Sequence, residues 1–340
     1  MADMNRQWLL RSRPVGMVQE SDFELVENPV PVPGDGEALV RTLYLAFEPA
    51  MRGWMEDREG YVPPVGLGEV MRAATVGQVV ESNDPTFAVG DLLSSFDVGW
   101  QEYGVVSTGG FVPPTKVPDG VPPTMVLGVL GLTGITAYFG MLDIGQPVEG
   151  DTVLVSGAAG ATGSVAAQIA KLKGCEVYGI AGGPEKCAWL TDVAGLDGAL
   201  DYKQGAVETQ IAEACPDGID VFFDNVGGEI LEAAIEHVAQ NARIALCGGI
   251  SGYNETTPSP GPRNLMNLVT QRARMQGFIV LDYLPRFEEA VTELAGWVMA
   301  GDIAHAEDVQ KGFENAPQTF LRLFQGLNRG KQLLEVAEPA

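Results

Sequence analysis

A glycine-rich loop, Gly157 to Gly163, carries the clearest chemical signal in the sequence. It reads GAAGATG, after the apolar run TVLVS and before a segment with helical spacing at Val165, Ile169 and Leu172. Small residues there let the backbone approach a pyrophosphate, and the N-terminus of the following helix offers free N–H groups and a positive dipole end. The strict dinucleotide fingerprint has glycine where this chain has Ala158, so strand-to-helix packing without a ligand stays an alternative. The predicted strand before the loop and the predicted helix after it favour a dinucleotide site over packing without a ligand.

The tip of the second strand indicates which dinucleotide would bind. NAD sites of this kind place Asp or Glu about 20 residues after the glycines, on the ribose 2′-hydroxyl. Here the strand ends YGIAGGPEK, so Gly182 and Gly183 occupy the tip and Lys186 follows in the next predicted helix. An open tip with one cation suits the 2′-phosphate of NADP(H). The alternative is an ordinary surface lysine, and Glu185 beside it weakens the electrostatic argument.

Metal ligands are scarce in the sequence. It has two histidines, His237 and His305, and no cysteine before Cys175. Zinc alcohol dehydrogenases of similar size need a catalytic cysteine early in the β domain and a cluster of cysteines for a structural metal. We therefore predict no metal site, and a hydride reaction on a substrate that is already polarised.

Composition and charge exclude other classes of function. The 21 basic and 45 acidic residues give a net charge of −24, which would repel the phosphate backbone of a nucleic acid. No apolar run approaches the ~18 residues of a membrane span. The four cysteines are widely spaced, as in proteins of a reducing compartment. We expect a cytoplasmic protein with a small-molecule substrate and no nucleic-acid or membrane partner.

The order of the predicted elements indicates two domains. From about Phe23 to Lys116, short alternating pieces separated by turn residues predict an antiparallel β domain. From Asp151, apolar strands alternate with helical segments, which predicts an α/β domain with a Rossmann-type, doubly wound parallel sheet. Its predicted strands are Thr152–Ser156, Glu176–Ile180, Ala199–Asp201, Asp220–Phe223, Arg243–Cys247 and Gly277–Leu281. A closing segment, KQLLEV, predicts one further strand.

Several segments that follow one another along nearly the whole chain carry a family resemblance. They are RGWM, WQEYGVV, GLTGITAYFGMLDIG, VSGAAGATGSVAAQIAKLKGC, FDNVGGE, CGGISGYN, GFIV and GFENAPQTFLRLFQGLNRGK. The chain resembles the zinc-free branch of the medium-chain dehydrogenases/reductases, in the group of prostaglandin, alkenal/one double-bond and curcumin reductases. The resemblance implies an oxidoreductase that uses NADPH to reduce the C=C bond of an α,β-unsaturated ketone or aldehyde.

The resemblance also implies the domain boundaries and the assembly. A β-barrel-like catalytic domain takes residues 1–127 and 295–340, because the C-terminus folds back onto the β domain. A Rossmann nucleotide-binding domain takes residues 128–294. The family forms homodimers, and we predict pairing along the edge strand at Gly277–Leu281.

Carried over position by position, the resemblance implies the residues that bind the cofactor. Its phosphate loop falls on Gly160, Ala161, Thr162 and Gly163, and its 2′-phosphate contacts fall on Lys186 and Tyr202. Asn225 and the loop from Cys247 line the cofactor, and Phe278, Ile279, Val280 and Asn328 lie near the nicotinamide.

Tyr253, in ISGYN, is the catalytic residue that the resemblance implies. Hydride addition to the β-carbon of an enone leaves negative charge on the carbonyl oxygen, and a donor aimed at that oxygen stabilises the enolate. A phenol with its ordinary pKa of about 10 stays protonated at neutral pH and can donate. The alternatives are a tyrosine that only packs on the cofactor, and a proton supplied by water or a ribose hydroxyl.

One position departs from the family pattern. The chain reads EPAMRG where the family commonly has DPYMRG, so Ala50 replaces an aromatic wall of the substrate site. We expect a wider site that accepts bulkier or aryl enones. Two other functions fit the same sequence: an NADPH-dependent quinone reductase, and a protein that binds NADPH without turnover.

Overall fold

The computed structural model describes residues 4–110, 112–257 and 260–339, which form two compact units. Unit 1 comprises Met1–Gly128 and Glu307–Ala340, and unit 2 comprises Val129–Ala306. The first division lies one residue from the predicted boundary. The second differs, because the predicted division at 294/295 falls inside the helix Phe287–Ala300. That helix buries Ala290 and Leu294 completely and stays within unit 2.

The chain begins unit 1 with seven strands and two short helices. These are β1 (Met4–Leu10), β2 (Phe23–Pro29), β3 (Glu37–Ala46), α1 (Met51–Trp54), β4 (Thr75–Ser82), β5 (Leu92–Ser95), β6 (Tyr103–Ser107), β7 (Thr115–Lys116) and α2 (Pro123–Leu127). β1 and β2 form a separate antiparallel pair. The other strands contribute to a larger sheet that the end of the chain completes.

Unit 2 alternates strands with helices, as the sequence predicts. Its elements are α3 (Leu132–Phe139), β8 (Thr152–Ser156), α4 (Ala161–Leu172), β9 (Glu176–Ala181), α5 (Pro184–Asp192), β10 (Gly198–Asp201), α6 (Val207–Ala214), β11 (Ile219–Asp224), α7 (Gly228–Glu236), β12 (Val238–Leu246), α8 (Met266–Thr270), β13 (Arg274–Gly277) and α9 (Phe287–Ala300). All strand pairs are parallel, in the order β10-β9-β8-β11-β12-β13. The order reverses direction between β8 and β11, which is the switch point of a doubly wound sheet and confirms the predicted class.

One local prediction in unit 2 is wrong, and one residue of a predicted helix face is exposed. The last strand is Arg274–Gly277, whereas Val280–Arg286 forms a 3₁₀ helix in place of the strand predicted at Gly277–Leu281. The apolar side chain of Phe278 packs against Phe223, with the two ring centroids 6.4 Å apart. The true edge strand, RMQG, is mostly exposed and polar and therefore gives no apolar signal. In α4, Leu172 does not continue the buried stripe and is 39% exposed at the helix end.

The end of the chain returns to unit 1. It forms β14 (Glu307–Lys311), α10 (Ala316–Gln325) and β15 (Lys331–Glu335). The resulting seven-stranded sheet has the order β14-β15-β3-β4-β5-β7, and β6 also pairs with β3. β15 runs antiparallel to β3, whereas β14 and β15 are parallel to each other. The predicted strand KQLLEV and the mainly antiparallel class of this unit are confirmed.

Aromatic side chains form the core of unit 1. Trp100 is fully buried, with its ring centroid 5.1 Å from Phe23, 5.0 Å from Phe47 and 5.7 Å from Phe320. Because Phe320 lies on α10, the C-terminal segment supplies part of a core that the N-terminal residues begin. A buried ion pair links the same parts of the chain, since Lys331 Nζ lies 2.9 Å from Glu48 Oε1.

Candidate functional site

The phosphate loop predicted at Gly157–Gly163 joins β8 to α4 in the middle of the parallel sheet. Gly157 has φ +59°, a left-handed conformation that glycine adopts without strain. Gly160 is the N-cap of α4, and its N–H donates to Gly157 O at 2.9 Å. A Cβ atom on Gly163 would overlap the Gly157 carbonyl and lie 2.9 Å from Ala158 Cα. The close packing of loop and helix therefore requires glycine there.

The first turn of α4 presents the remaining loop residues predicted to bind phosphate. Ala161 and Thr162 are its first two residues, and both are half-buried. The N–H groups of a first helical turn have no acceptor within the helix and form an anion site. The geometry thus suits a pyrophosphate at the carboxyl edge of the sheet, where doubly wound sheets bind their ligands.

The residues that follow β9 are held in place by contacts with the loop after β10. The Gly183 N–H donates to Asp201 Oδ1 at 2.8 Å, and the Lys203 N–H donates to the same oxygen at 3.0 Å. A Cβ atom on Gly182 would lie 2.7 Å from the Tyr202 hydroxyl oxygen, so the tyrosine ring packs directly on that backbone. Asp201 was not predicted from the sequence as a residue of this site, although an aspartate at the end of a strand commonly accepts hydrogen bonds from loop N–H groups.

The two residues predicted to contact the 2′-phosphate follow neighbouring strands. Lys186 is the third residue of α5 and is half-buried. Tyr202 is 45% exposed, with Lys203 Nζ 5.9 Å from its ring centroid. The parallel strands β9 and β10 therefore bring both predicted contacts to one edge of the sheet, where Lys203 adds a second cation.

Asn225 begins the loop after β11. Its N–H donates to Ser156 Oγ at 2.8 Å, and its side-chain Nδ2 donates to Ser156 O at 2.7 Å. The preceding residue, Asp224, is fully buried and accepts from Ser156 Oγ at 2.7 Å. Burial raises the pKa of the Asp224 carboxyl, and the hydrogen bonds it accepts oppose that shift. Asn225 is thus held directly beside the start of the phosphate loop.

The loop after β12 holds Tyr253. Its hydroxyl oxygen accepts a hydrogen bond from the Gly249 N–H at 3.2 Å. Because the oxygen accepts there, the phenolic proton remains free to be donated elsewhere. Burial raises the pKa of Tyr253 above its ordinary value, and the hydrogen bond from the Gly249 N–H opposes that shift without cancelling it. The phenol is therefore in its protonated form at neutral pH.

Other predicted cofactor residues lie in unit 2 as well. Cys247 follows β12 directly, and burial raises its thiol pKa to about 12. The segment Phe278 to Val280 follows β13 and is half-buried. The ring of Phe278 packs on Gly140, where a Cβ atom would displace it. The structure thus places these residues after the strands whose carboxyl ends form the predicted site.

Two residues from the sequence analysis belong to unit 1. Asn328 lies in the turn between α10 and β15, and its Nδ2 donates to Gly330 O at 3.0 Å. Ala50 is the N-cap of α1 and packs, half-buried, against the aromatic cluster around Trp100.

Two further features are absent from residues 4–110, 112–257 and 260–339. Among those residues, no group of three His, Cys, Asp or Glu side chains is arranged to hold a metal ion. None of the helices in the same ranges has the length and apolar character that crossing a membrane requires.

Comparison with known proteins shows the family. Residues 6–113 match the family model described as the N-terminal domain of oxidoreductase, and residues 161–296 match the one described as zinc-binding dehydrogenase. An NADPH-dependent curcumin reductase of Escherichia coli (strain K12) is 45% identical over 338 residues, which cover 98% of this chain and 97% of that protein. A 2-alkenal reductase (NADP(+)-dependent) of Nicotiana tabacum is 38% identical over 343 residues, 98% of each chain.

A solved structure agrees with these matches. The crystal structure of CurA in complex with NADPH from Vibrio vulnificus has a TM-score of 0.93 and 42% identity, covering 98% of this chain and 100% of that one. The family predicted from the sequence is therefore confirmed: the chain belongs to the zinc-free reductase group of the medium-chain dehydrogenases/reductases.

Proposed function

We propose that this protein uses NADPH to reduce the C=C bond of α,β-unsaturated ketones and aldehydes. The family supports an NADPH-dependent oxidoreductase, since its relatives bear the names of curcumin and 2-alkenal reductases. The observation that carries the proposal is the hydroxyl of Tyr253. Its oxygen is held by the Gly249 N–H, and its raised pKa keeps the proton in place.

The residues at the carboxyl edge of the parallel sheet fit NADPH. The backbone of Gly160 to Gly163 would hold the pyrophosphate, because the cradle has no room for a larger residue at Gly163. Lys186 and Tyr202 would hold the 2′-phosphate. Asn225, Cys247 and the segment Phe278 to Val280 would line the rest of the cofactor.

The chemistry divides between the cofactor and the protein. When bound, NADPH supplies a hydride, which an enone accepts at its β-carbon. Tyr253 donates a hydrogen bond from its hydroxyl to the substrate carbonyl oxygen, where negative charge develops. The α-carbon of the resulting enolate then takes up one proton, from Tyr253, water or a ribose hydroxyl, which gives the saturated product. A preorganised donor of this kind lowers the barrier because it interacts more strongly with the developing enolate than with the ground-state carbonyl.

The test is a comparison of substrates with the purified protein. NADPH oxidation is followed with a linear enone, an aryl enone and a benzoquinone, and products are identified by mass spectrometry. We expect the saturated ketone from both enones, with turnover of the aryl enone favoured by Ala50. Faster turnover of the quinone would replace the proposal with a quinone reductase. NADPH binding without oxidation across an enone panel would indicate a protein that only binds the cofactor.

The proposal includes a cytoplasmic homodimer. β13 is an edge strand of the six-stranded sheet, so pairing of two copies would use Arg274–Gly277 in place of the range predicted from the sequence. Light scattering coupled to gel filtration gives the mass in solution, and a monomer at micromolar concentration would refute this part.

A further inference from the structure

Two buried polar side chains meet at the switch point of the parallel sheet. Ser156 ends β8 and Asp224 ends β11, and both are fully buried. Ser156 Oγ donates to Asp224 Oδ1 at 2.7 Å. The strand order reverses between these two strands, and ligands of doubly wound sheets bind just outside the carboxyl ends at this point. The pair therefore lies directly beneath the proposed cofactor site.

The Asp224 carboxylate fixes the loop that follows it. Oδ1 accepts from the Val226 N–H at 3.0 Å, and both oxygens accept from the Gly227 N–H at 3.1 Å. Ser156 Oγ in turn accepts from the Asn225 N–H at 2.8 Å. Three consecutive backbone N–H groups, at Asn225, Val226 and Gly227, thus depend on this one side-chain pair.

The same network extends to the loop that carries the proposed hydrogen-bond donor. The backbone oxygen of Asp224 accepts from the N–H groups of Cys247 and Gly248, at 2.8 and 3.1 Å. The carbonyl of Val226 accepts from the Ser251 N–H at 3.1 Å and from its hydroxyl at 2.6 Å. The loop after β12 is therefore positioned on the loop after β11, which the carboxylate holds.

A second aspartate, Asp220, also links β8 to β11. Asp220 lies at the other end of β11, and its Oδ2 accepts from the Thr152 N–H at the start of β8 at 2.9 Å. It joins the same strands as Asp224 does, but away from the carboxyl edge. The chain thus supplies two aspartates for comparison, one at each end of β11.

We propose that Asp224 is a positioning residue for the cofactor, acting through Ser156 and the backbone of Asn225 to Gly227. It touches neither cofactor nor substrate. It sets the loops after β11 and β12 in the geometry that receives the dinucleotide. This role rests on the proposed function, since it requires that NADPH binds at this edge.

The test measures NADPH binding directly, by the change in cofactor fluorescence, in Asp224→Ala and Asp220→Ala. We expect the NADPH Kd to rise about 10-fold or more in Asp224→Ala, because misplacement of a binding loop by ~1 Å has effects of this size. Asp220→Ala should keep its Kd within about twofold even though both variants lose thermal stability, since only one aspartate faces the site. Equal Kd values in the two variants would overturn the proposal.

Two further variants keep the test decisive. Asp224→Asn retains an oxygen for Ser156 and Val226, so we expect it to recover most of the lost affinity; binding as weak as in Asp224→Ala would contradict positioning by hydrogen bonds. If Asp224→Ala does not fold, Ser156→Ala removes the link to the Asn225 N–H and should raise the Kd about threefold. An unchanged Kd there would overturn the proposal. Wild-type protein that fails to bind NADPH would refute the proposed function instead.

Discussion

Replacing Tyr253 by Phe removes one hydroxyl and leaves the ring that packs in the loop after β12. The loss of a single oxyanion donor lowers kcat by about 10²–10³ in well-studied cases. Here water or a ribose hydroxyl can share the role, so we expect a fall in kcat of about 10- to 100-fold on an enone, or ~1.4–2.7 kcal/mol of transition-state stabilisation. The NADPH Kd should stay within about twofold, because the proposed partner of the hydroxyl is the substrate and not the cofactor.

The same variant has a separate structural effect that can be measured independently. The Gly249 N–H loses its acceptor, a bond of 3.2 Å, which should cost about 0.5–1 kcal/mol of unfolding free energy. Tyr178→Phe is the matched control, since its hydroxyl donates to Glu176 Oε1 at 2.6 Å on an exposed surface. We expect the control to keep wild-type kcat.

The pH dependence of kcat gives a second readout. The pKa of Tyr253 is raised, so the protonated, donating form persists through neutral pH and is lost only as pH rises through the raised value. Wild-type kcat should therefore be insensitive to this group up to a pH of about 9. Tyr253→Phe should lack any alkaline decrease that belongs to the phenol. Unchanged kcat in Tyr253→Phe, or a loss explained entirely by weaker NADPH binding, would refute the role of the hydroxyl.

Three further predictions concern the cofactor and metal. Lys186→Ala should raise the NADPH KM about 10-fold and leave the NADH KM nearly unchanged, with exposed Lys173→Ala as the control; equal effects on both cofactors would place the 2′-phosphate elsewhere. Gly163→Ala should weaken NADPH binding at least 10-fold and cost about 1–3 kcal/mol of unfolding free energy, because its Cβ would overlap the Gly157 carbonyl. Gly296→Ala on α9 meets nothing within 4 Å and should instead stabilise by about 0.5–1 kcal/mol, and similar behaviour of the two variants would contradict the packing argument. Prolonged treatment with a metal chelator should leave enone reduction unchanged, and loss of activity that added zinc restores would contradict the metal-free prediction.

The sequence predicts the parallel sheet well because its central strands are continuous apolar runs between helices. Thr152–Ser156 agrees residue for residue with β8. The edge strand was mispredicted because an apolar run at Gly277–Leu281 mimics a strand, while the polar residues Arg274–Gly277 pair at the sheet edge. The pattern of apolar side chains indicates which residues are buried. At the edge of a sheet a strand can pair while its side chains stay exposed, so the pattern does not identify that strand.

In the candidate site, too, some features could be predicted from the sequence and others could not. The glycine loop could be predicted because it is local, within a few residues of one strand. The tip of β9 was predicted to be open, but Asp201 and the Tyr202 ring, from the loop after β10, pack on Gly183 and Gly182.

The network of Ser156, Asp224 and the loop after β12 could not be predicted, because residues 68 positions apart in sequence meet only when β8 and β11 become neighbours. The contact between the Gly249 N–H and the Tyr253 hydroxyl could not be predicted for another reason: the two residues are close in sequence, but the contact depends on a loop conformation that the glycines alone do not specify.

Because the C-terminal strands return to unit 1, unit 2 can be completed before unit 1 as the chain is synthesised. Unit 2 is continuous in sequence, so all of its strand pairs can form once residue 306 has left the ribosome. In unit 1, β6 pairs with the first half of β3, but the segment Tyr44 to Ala46 has no partner on that edge until β15 arrives, and the aromatic core lacks Phe320 for the same period. An unpaired strand edge beside a partly built apolar core is a surface on which nascent chains aggregate. The segment from Glu307 to Glu335 thus completes the sheet of unit 1 only after the whole of unit 2 has been synthesised.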